Sequence, residues 1–258
     1  MFDVNTAIGH WPFRRIPNQR ADELRALLEA RGIQGAAVAH THGLFYMNCH
    51  DANLELADAV AAHAGFFVGV ATLNPTYAAW ERDLATCVQR LGLRALRLVP
   101  QYHGYRLSDT PALDLARAAS AAGMALVLPH RVVDVRQRHW LDTEQTTALS
   151  EVLGLCRAVP EARVLLTEWA GPATALVTAT GQPLCPNLYI ETSRLPSAYG
   201  QTLSQIVKAL GASQVLFGSG APFKEVRPAL LKLEHAELAP AEREGVAGGS
   251  ARSWLGLS

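Results

Sequence analysis

The chain lacks an excess of charge of either sign, because 23 Lys and Arg residues balance 23 Asp and Glu residues over 258 positions. Proteins that bind nucleic acids or anionic membranes by electrostatic attraction need a basic excess or a basic stripe, whereas the longest basic run here is the pair Arg14 and Arg15. No apolar run approaches the roughly 18 residues that span a bilayer, and Asp3 and Asn5 interrupt any signal peptide. We therefore expect a cytoplasmic protein with neither nucleic-acid nor membrane partners.

Several motifs of common enzyme chemistries are also missing from the sequence. The four cysteines form no C-x-x-C pair, which indicates reduced and mostly buried thiols. There is no G-x-G-x-x-G turn and no P-loop, which are typical of nucleotide-binding α/β proteins, and no G-x-S-x-G elbow of the serine hydrolases. Since 49% of the residues are hydrophobic and 18% are charged, the chain is not an intrinsically disordered one.

What the sequence does contain is a series of eight short apolar runs. They lie at residues 2–8, 35–42, 66–73, 95–100, 125–130, 163–169, 187–192 and 214–219. Their mean spacing is about 30 residues, the length of one strand-plus-helix unit, and helical patterns occupy the segments between them. The alternation predicts an α/β protein with a single (β/α)8 TIM barrel over residues 1–258. An open, doubly wound sheet is the alternative.

In such a barrel, the working side chains come from the carboxyl ends of the strands and from the loops that follow them. Applied to the eight runs, this rule selects polar residues that stand at or just beyond strand ends. They are Asn5, His40, His42, Arg97, His103, Tyr105, His130, Arg131, Glu168 and Glu191. We expect these groups to surround one common cavity.

Four segments carry a resemblance to a known family. They are the opening FDVNTAIG, the fourth-strand region GLRALRLVPQYHGYRL, the eighth-strand region LFGSGAPF and the tail AEREGVAGGSARSWLGL over residues 241–257. In these segments, the chain resembles the amidohydrolase-related (amidohydrolase 2) branch of the amidohydrolase superfamily. The resemblance extends over nearly the whole chain and implies a TIM barrel with a divalent metal centre.

The chain departs from that family at the positions that would hold the metal. Asn5 and Ala7 stand where the family has two strand-one histidines, Glu168 replaces the strand-six histidine and Gly220 replaces the strand-eight aspartate. Only the strand-five histidine persists, as His130. Because one ligand cannot hold zinc and at least three are required, we expect no metal and no cofactor. The alternative is one Zn or Mn ion at a rebuilt site formed by His40, His42 and His130.

The candidate residues divide into catalytic and substrate-binding groups. We expect His130 to act as general acid or base, Glu168 to orient it or shuttle protons, and His103 to polarise the substrate. Arg97 either binds a substrate carboxylate or forms a structural ion pair with Glu168 or Glu191. The expected substrate-binding residues are His40, His42, Arg97, Tyr105, Arg131, Glu191 and Asn5.

Three functional hypotheses remain open from the sequence alone. The first is a metal-independent enzyme that hydrolyses a C–N or C–O bond of a small polar metabolite, with decarboxylation or elimination as the second choice of reaction. The second is a hydrolase with the rebuilt metal site, and the third is a catalytically inactive barrel that binds a small molecule. The expected partner is a small-molecule substrate, and a homodimer is an expectation from the resemblance.

Overall fold

The computed structural model describes residues 1–196 and 201–256 and contains one eight-stranded parallel sheet in which the strands follow their order in the chain. The strands are β1 (Phe2–Ile8), β2 (Gly35–His40), β3 (Phe67–Thr72), β4 (Ala95–Arg97), β5 (Ala125–Pro129), β6 (Val164–Thr167), β7 (Leu188–Glu191) and β8 (Val215–Leu216). Alternation with helices makes this the expected (β/α)8 barrel, and the fold prediction is confirmed.

Helices follow the strands, and most of them cover the outside of the barrel. They are α1 (Ala21–Glu29), α2 (Cys49–Ala61), α3 (Trp80–Gln89), α4 (Pro100–His103), α5 (Thr110–Ala121), α6 (Leu149–Ala158), α7 (Gln201–Leu210), α8 (Arg227–His235), α9 (Pro240–Glu244) and α10 (Ser250–Leu255). Between β6 and β7 there is only a 3-10 turn, Ala173–Leu176. Residues 197–200, which precede α7, lie outside the described residues, as does Leu257 at the end of the family-like tail.

The strands separate two apolar cores because successive side chains point to opposite faces. Along β2, Ala36 and Val38 face the helices, whereas Ala37 and Ala39 face the barrel interior. Nearly continuous apolar strands are what a parallel sheet covered on both faces requires. All four cysteines are buried and free, as expected. No helix in the described part of the chain is long and apolar enough to cross a membrane.

The barrel closes between β8 and β1 through backbone hydrogen bonds rather than a regular ladder. The amide of Val4 donates to Phe217 O at 2.9 Å, that of Ala7 to Ala221 O at 2.9 Å, and that of Gly220 to Asn5 O at 2.9 Å. All three of these bonds are formed by residues beyond the end of the very short β8. The closure therefore brings Asn5 and Gly220 side by side at the carboxyl end of the barrel.

The opposite end of the barrel is filled by α10. Trp254 and Leu255 pack with Val4, Ala95 and Leu216 in the interior core. Trp254 is fully buried, and its indole Nε1 donates a hydrogen bond to Arg163 O at 3.3 Å. The indole ring of Trp254 thus fills the interior space that the small residues Ala37, Ala95 and Ala125 leave open.

We predict that Trp254→Ala destabilises the protein by about 3–5 kcal/mol, because it removes a large buried side chain and leaves a cavity. Chemical denaturation followed by circular dichroism measures the change. Trp140→Ala serves as the control, since Trp140 is 77% exposed and should cost less than about 0.5 kcal/mol. Equal losses in the two variants would contradict the assignment of Trp254 to the barrel core.

Candidate active site

A cavity opens at the carboxyl ends of the strands, inside the barrel. Its walls are mainly apolar, with Val4, Ala37, Ala39, Val70 and Val127 among them, and its free volume is about 50 Å³. Four of the predicted site residues line it: Asn5, Arg97, Arg131 and Glu168. The predicted residues His40, His42, His103, Tyr105, His130 and Glu191 do not line this cavity. The strand-end rule therefore selected four residues that line the cavity, whereas the histidines that it selected lie elsewhere.

Glu168 is the carboxylate of the cavity and is held between two cations. Its Oε2 lies 2.6 Å from Lys224 Nζ and 2.8 Å from Arg194 Nε, and its Oε1 accepts from Ser193 Oγ at 2.9 Å and Asn5 Nδ2 at 3.0 Å. The residue follows β6 in a left-handed conformation with φ 59°. Although burial raises the pKa of Glu168, the charges of Lys224 and Arg194 outweigh it and hold the pKa below its ordinary value. Glu168 is thus ionised.

Glu191 is a second buried carboxyl group beside the first. Its Oε1 accepts from the backbone amide of Glu168 at 2.7 Å and lies 2.7 Å from Ser193 Oγ, while its Oε2 accepts from the Ser193 amide. Burial and the neighbouring Glu168 charge raise the pKa of Glu191. One arrangement satisfies every atom: a protonated Glu191 donates to Ser193 Oγ, which donates to Glu168 Oε1. The raised pKa of Glu191 thus favours its protonated form beside the ionised Glu168.

Arg97 carries a buried positive charge on the opposite wall. Its Nε donates to Thr72 Oγ1 at 3.1 Å and its Nη2 to His40 O at 2.6 Å. Within the described ranges, no carboxylate lies within ion-pair distance of it, so the structural pairing with Glu168 or Glu191 considered from the sequence does not form. Burial lowers the pKa of Arg97 to about 10, which still leaves the group charged at neutral pH. The cavity therefore contains a cation that lacks an anion.

Arg131 is the second cation of the wall, and His130 holds it. Arg131 Nη2 donates to His130 Nε2 at 3.0 Å, and His130 Nδ1 donates to Thr147 O at 2.8 Å. Burial lowers the pKa of His130, against the opposing effect of the Thr147 carbonyl, so the ring is a neutral acceptor. Arg131 Nε has no hydrogen-bond partner in the part of the chain described. Both nitrogens of His130 are thus engaged by protein groups, and its ring positions Arg131.

His40 and His42 come together on the helix side of the barrel. Their ring centroids are 4.5 Å apart, and the group is completed by Glu55 of α2 and by Tyr46. Glu55 Oε2 lies 2.7 Å from His42 Nδ1 and 3.6 Å from His40 Nε2. Burial, and then the neighbouring His42, lower the pKa of His40 to about 4. The pairing expected from H-x-H is present, but the shared partner is Glu55, which sequence reasoning missed.

His103 and Tyr105 lie under the loops that follow β4. His103 Nε2 donates to Gly43 O at 2.9 Å, and burial lowers the pKa of His103 to about 4. Burial also raises the pKa of Tyr105. His103 Nδ1 and Tyr105 Oη are both buried without a hydrogen-bond partner among the residues described. A catalytic role for His103 stays a prediction, and its present contact is with the turn after β2.

Asp3 opens β1 as a fully buried carboxyl group. Its Oδ1 accepts from the amides of Asn5 and Ser219, each at 3.0 Å, while its Oδ2 has no partner among the described residues. Burial outweighs these bonds and raises the pKa of Asp3 from 3.8 to about 7. The native state therefore holds a proton that the unfolded state releases between about pH 4 and pH 7, so this group lowers stability as pH rises through that window.

We predict that Asp3→Asn removes this pH-dependent penalty. Relative to wild type, the variant should gain about 2–3 kcal/mol more unfolding free energy at pH 8 than at pH 5, because one pKa unit corresponds to about 1.4 kcal/mol. Urea denaturation at both pH values measures the difference, with the exposed Asp114→Asn as control. A gain that is the same at both pH values would show that Asp3 ionises normally.

The metal ligands that the resemblance implies would surround the same cavity, and the residues present there do not fit a divalent ion. The relevant positions are Asn5, Ala7, His130, Glu168 and Gly220. Two of these side chains offer no donor atom, and both nitrogens of the one histidine are hydrogen-bonded as described above. A three-ligand site cannot be assembled from what remains.

The space around Gly220 leads to the same conclusion. A Cβ at this position would lie 2.9 Å from Glu168 Oε1 and 3.0 Å from Lys224 Cδ, so the family's aspartate would collide with the ion pair. The ammonium of Lys224 already balances Glu168, and Arg194 adds a further positive charge. A divalent cation here would be repelled by both.

With the geometry established, the family of the chain can be stated. The family model described as amidohydrolase matches residues 4–257, and the chain therefore belongs to this family. The resemblance drawn from the sequence is confirmed. No protein of curated function matches the sequence.

Solved structures of decarboxylases share the fold. A 5-carboxyvanillate decarboxylase from Sphingomonas paucimobilis has a TM-score of 0.72 and 18% identity, covering 100% of this chain and 99% of that one. A 2,6-dihydroxybenzoate decarboxylase from Rhizobium has a TM-score of 0.73 and 17% identity, covering 99% and 98%. A dihydroxybenzoic acid decarboxylase from Polaromonas sp. JS666, with bound manganese and 2-nitroresorcinol, has a TM-score of 0.71 and 17% identity, covering 99% and 96%. Identities this low show the fold alone.

These findings correct the expectation of no cofactor. Manganese is bound in the Polaromonas structure, and this chain has a group of three side chains, His40, His42 and Glu55, whose ligand atoms all lie within 4.8 Å of one another. The expectation failed because it considered only the positions where the family's ligands were lost. The alternative metal site considered from the sequence shares His40 and His42 with this group, but the third member of the group is Glu55 rather than His130.

Several residues of the site were missed from the sequence. Lys224 follows Gly220 by four residues, and Ser193 and Arg194 follow β7 directly, so the strand-end rule applied more widely would have included them. Lys232 of α8 was not detectable in this way. Its Nζ donates to Thr192 O at 3.0 Å and to Ser193 O at 2.9 Å, and it thereby supports the turn that carries the carboxyl-binding hydroxyl.

Proposed function

We propose that this protein is a lyase that decarboxylates a small, carboxylated ring compound. The observation that carries the proposal is the guanidinium of Arg97, buried in the cavity wall with no carboxylate partner in the described structure. A buried charge without a counter-ion is unfavourable unless a ligand supplies one. A substrate carboxylate is the group that fits a guanidinium best, through two parallel hydrogen bonds.

The relatives favour this reaction over hydrolysis. The solved structures with named activities described above are decarboxylases of carboxyvanillate and dihydroxybenzoate. Their substrates are aromatic acids, which agrees with a cavity that combines guanidinium groups with apolar walls. Hydrolysis, the first choice from the sequence, has no comparable support, whereas the second choice, decarboxylation, does.

The cavity can admit such a substrate if it enlarges at its rim. Its free volume of about 50 Å³ is below the roughly 150 Å³ that accommodates a benzene ring. The side chains of Arg131 and Phe223 both line the cavity, and among the described residues Arg131 has one hydrogen bond, to His130. We expect rotation of Arg131 to break this bond, enlarge the cavity and bring its charge beside Arg97 around the carboxylate. Phe223 packs edge-on against Trp11, with ring centroids 5.0 Å apart, and offers an aromatic contact to the ring.

The carboxyl pair supplies the proton that decarboxylation needs. When the bond between the ring carbon and the carboxylate breaks, carbon dioxide leaves and the electron pair stays on carbon, which must take up one proton. Glu191 holds a proton and can pass it through Ser193 Oγ to Glu168 Oε1, whose carboxyl group faces the cavity. Glu168 donates it to carbon, and solvent later restores the proton to the pair.

We predict that Arg97→Met lowers kcat/KM for decarboxylation at least about 30-fold, because a buried charge pair with the substrate is worth about 2–5 kcal/mol. Release of carbon dioxide from 2,6-dihydroxybenzoate and 5-carboxyvanillate measures turnover. The unfolding free energy should stay equal or increase, since methionine buries no charge. The exposed Arg117→Met serves as control with unchanged turnover.

Wild-type protein without turnover on any carboxylated aromatic acid tested would contradict the proposed reaction. An active Arg97→Met variant would instead leave the reaction in place and remove Arg97 as the carboxylate anchor. The two outcomes are distinguishable because the first concerns the wild type and the second only the variant.

We also predict that Glu168→Gln separates binding from proton transfer. The glutamine cannot deliver a proton, so turnover should fall at least about 100-fold, as expected for the loss of a general acid. The cavity gains net positive charge, so 2,6-dihydroxybenzoate should still raise the thermal unfolding temperature of the variant. Loss of this ligand-induced shift together with turnover would mean that Glu168 contributes to binding rather than to protonation.

A further inference from the structure

We propose that the outer end of β2 is a binding site for one divalent ion of the zinc class, with His40, His42 and Glu55 as its protein ligands. The site is separate from the decarboxylation cavity, because His40 points away from the barrel interior. The inference rests on the juxtaposition of two imidazoles and one carboxylate from three different elements: the last residue of β2, the 3-10 turn Thr41–Leu44, and α2.

The spacing of the donor atoms suits a tetrahedral ion. Glu55 Oε2 is 2.7 Å from His42 Nδ1 and 3.6 Å from His40 Nε2. Ligands at about 2.0–2.1 Å from zinc in a tetrahedral arrangement lie roughly 3.3 Å apart. The two separations of Glu55 Oε2 lie on either side of this value, and the ligand atoms of all three residues lie within 4.8 Å of one another. Two histidines, one carboxylate and an open fourth position form a common donor set for zinc.

The imidazole rings of His40 and His42 can both change tautomer so that a ligand nitrogen is free for the metal ion. His42 Nδ1 now shares its proton with Glu55, and an ion takes the place of that proton when the ring adopts the other tautomer. His40 Nδ1 accepts from the His42 backbone amide at 3.3 Å, which leaves the proton on Nε2. Binding through Nε2 moves this proton to Nδ1 and gives up that one contact. The contact is long and therefore weak, so the exchange costs little against two metal bonds.

The surroundings of the group favour a cation. Tyr46 Oη lies 2.8 Å from His42 Nδ1 and donates to Glu55 Oε1 at 2.8 Å, so a hydroxyl oxygen already stands beside the ligands. His40 also lines an open groove that contains Arg20, Asp22 and Asp58. Because Arg20 is paired with Asp22, Asp58 supplies the remaining negative charge along the approach. The side chains of His42 and Glu55 are 26% and 43% exposed, so an ion reaches them directly from solvent.

The position of the site gives it a structural consequence for the cavity. The backbone carbonyl of His40 accepts from Arg97 Nη2 at 2.6 Å, and Gly43 O, in the same turn, accepts from His103. An ion that ties β2 and its turn to α2 therefore stiffens the segment on which Arg97 rests. This consequence rests on the proposed function, whereas the metal site itself does not.

The experiment titrates metal-stripped protein with zinc sulfate, and separately with manganese chloride, by isothermal calorimetry, with elemental analysis after dialysis. We expect one equivalent of zinc, a higher thermal unfolding temperature with zinc, and weaker binding of manganese, following the usual order of divalent affinities. Glu55→Gln and His42→Ala should each weaken zinc binding at least about 100-fold. Glu81→Gln, an exposed residue of α3, should bind zinc as the wild type does.

Each contrary result has a definite meaning. No zinc binding by wild-type protein would overturn the proposal, and so would wild-type affinity in both ligand variants. Loss of zinc binding in Glu168→Gln but not in Glu55→Gln would place the ion at the barrel cavity and would also overturn it. Circular dichroism confirms folding of the variants, and the exposure of Glu55 makes its replacement structurally mild. Because none of these measurements requires turnover, failure of the metal site is distinguishable from failure of the proposed lyase activity.

Discussion

The ion pairs of Glu168 determine the character of the barrel mouth. Lys224 and Arg194 neutralise this carboxylate, so it is not available to Arg97, and no other acidic side chain in the described structure reaches that guanidinium. Glu191 lies beside Glu168, and burial together with this neighbouring charge raises the pKa of Glu191, because two adjacent carboxylates cannot both ionise at low cost. One arrangement of charges therefore yields both an empty place for an anion and a stored proton. The proposed decarboxylation uses both features.

The same arrangement separates the charged cavity of the barrel from the candidate metal ligands. Cationic side chains occupy the inner end of the barrel in this chain, whereas the histidine and carboxylate donors that suit a metal lie outside the sheet. His40 joins the two regions, since its backbone faces Arg97 and its ring faces α2. A substitution of His40 is therefore expected to affect both regions, because the two regions are connected through the backbone of this residue.

The sequence predicted the fold correctly because the eight apolar runs and their spacing reflect a local property, the length of one strand and one helix. It also selected Asn5, Arg97, Arg131 and Glu168, since the strand-end rule needs only the position of each strand. The direction of His40 depended on the register of β2, and a shift of one residue reverses the face. Lys224 and Glu55 reach their partners across the fold, so only the packed structure reveals these pairs. The assumption that lost ligands mean no metal failed for the same reason.

The joint between β8 and β1 has a mechanical consequence. β8 has two residues, and its junction with β1 consists of a few backbone bonds beyond the regular ladder. Thermal motion will part these two strands more readily than the longer pairs elsewhere in the barrel. Asn5 lies on one side of this junction and Gly220 on the other, so a brief separation of the strands would weaken the hydrogen bond from Asn5 to Glu168. This junction of β8 with β1 thus runs through the wall of the cavity, which Asn5 and Gly220 both line.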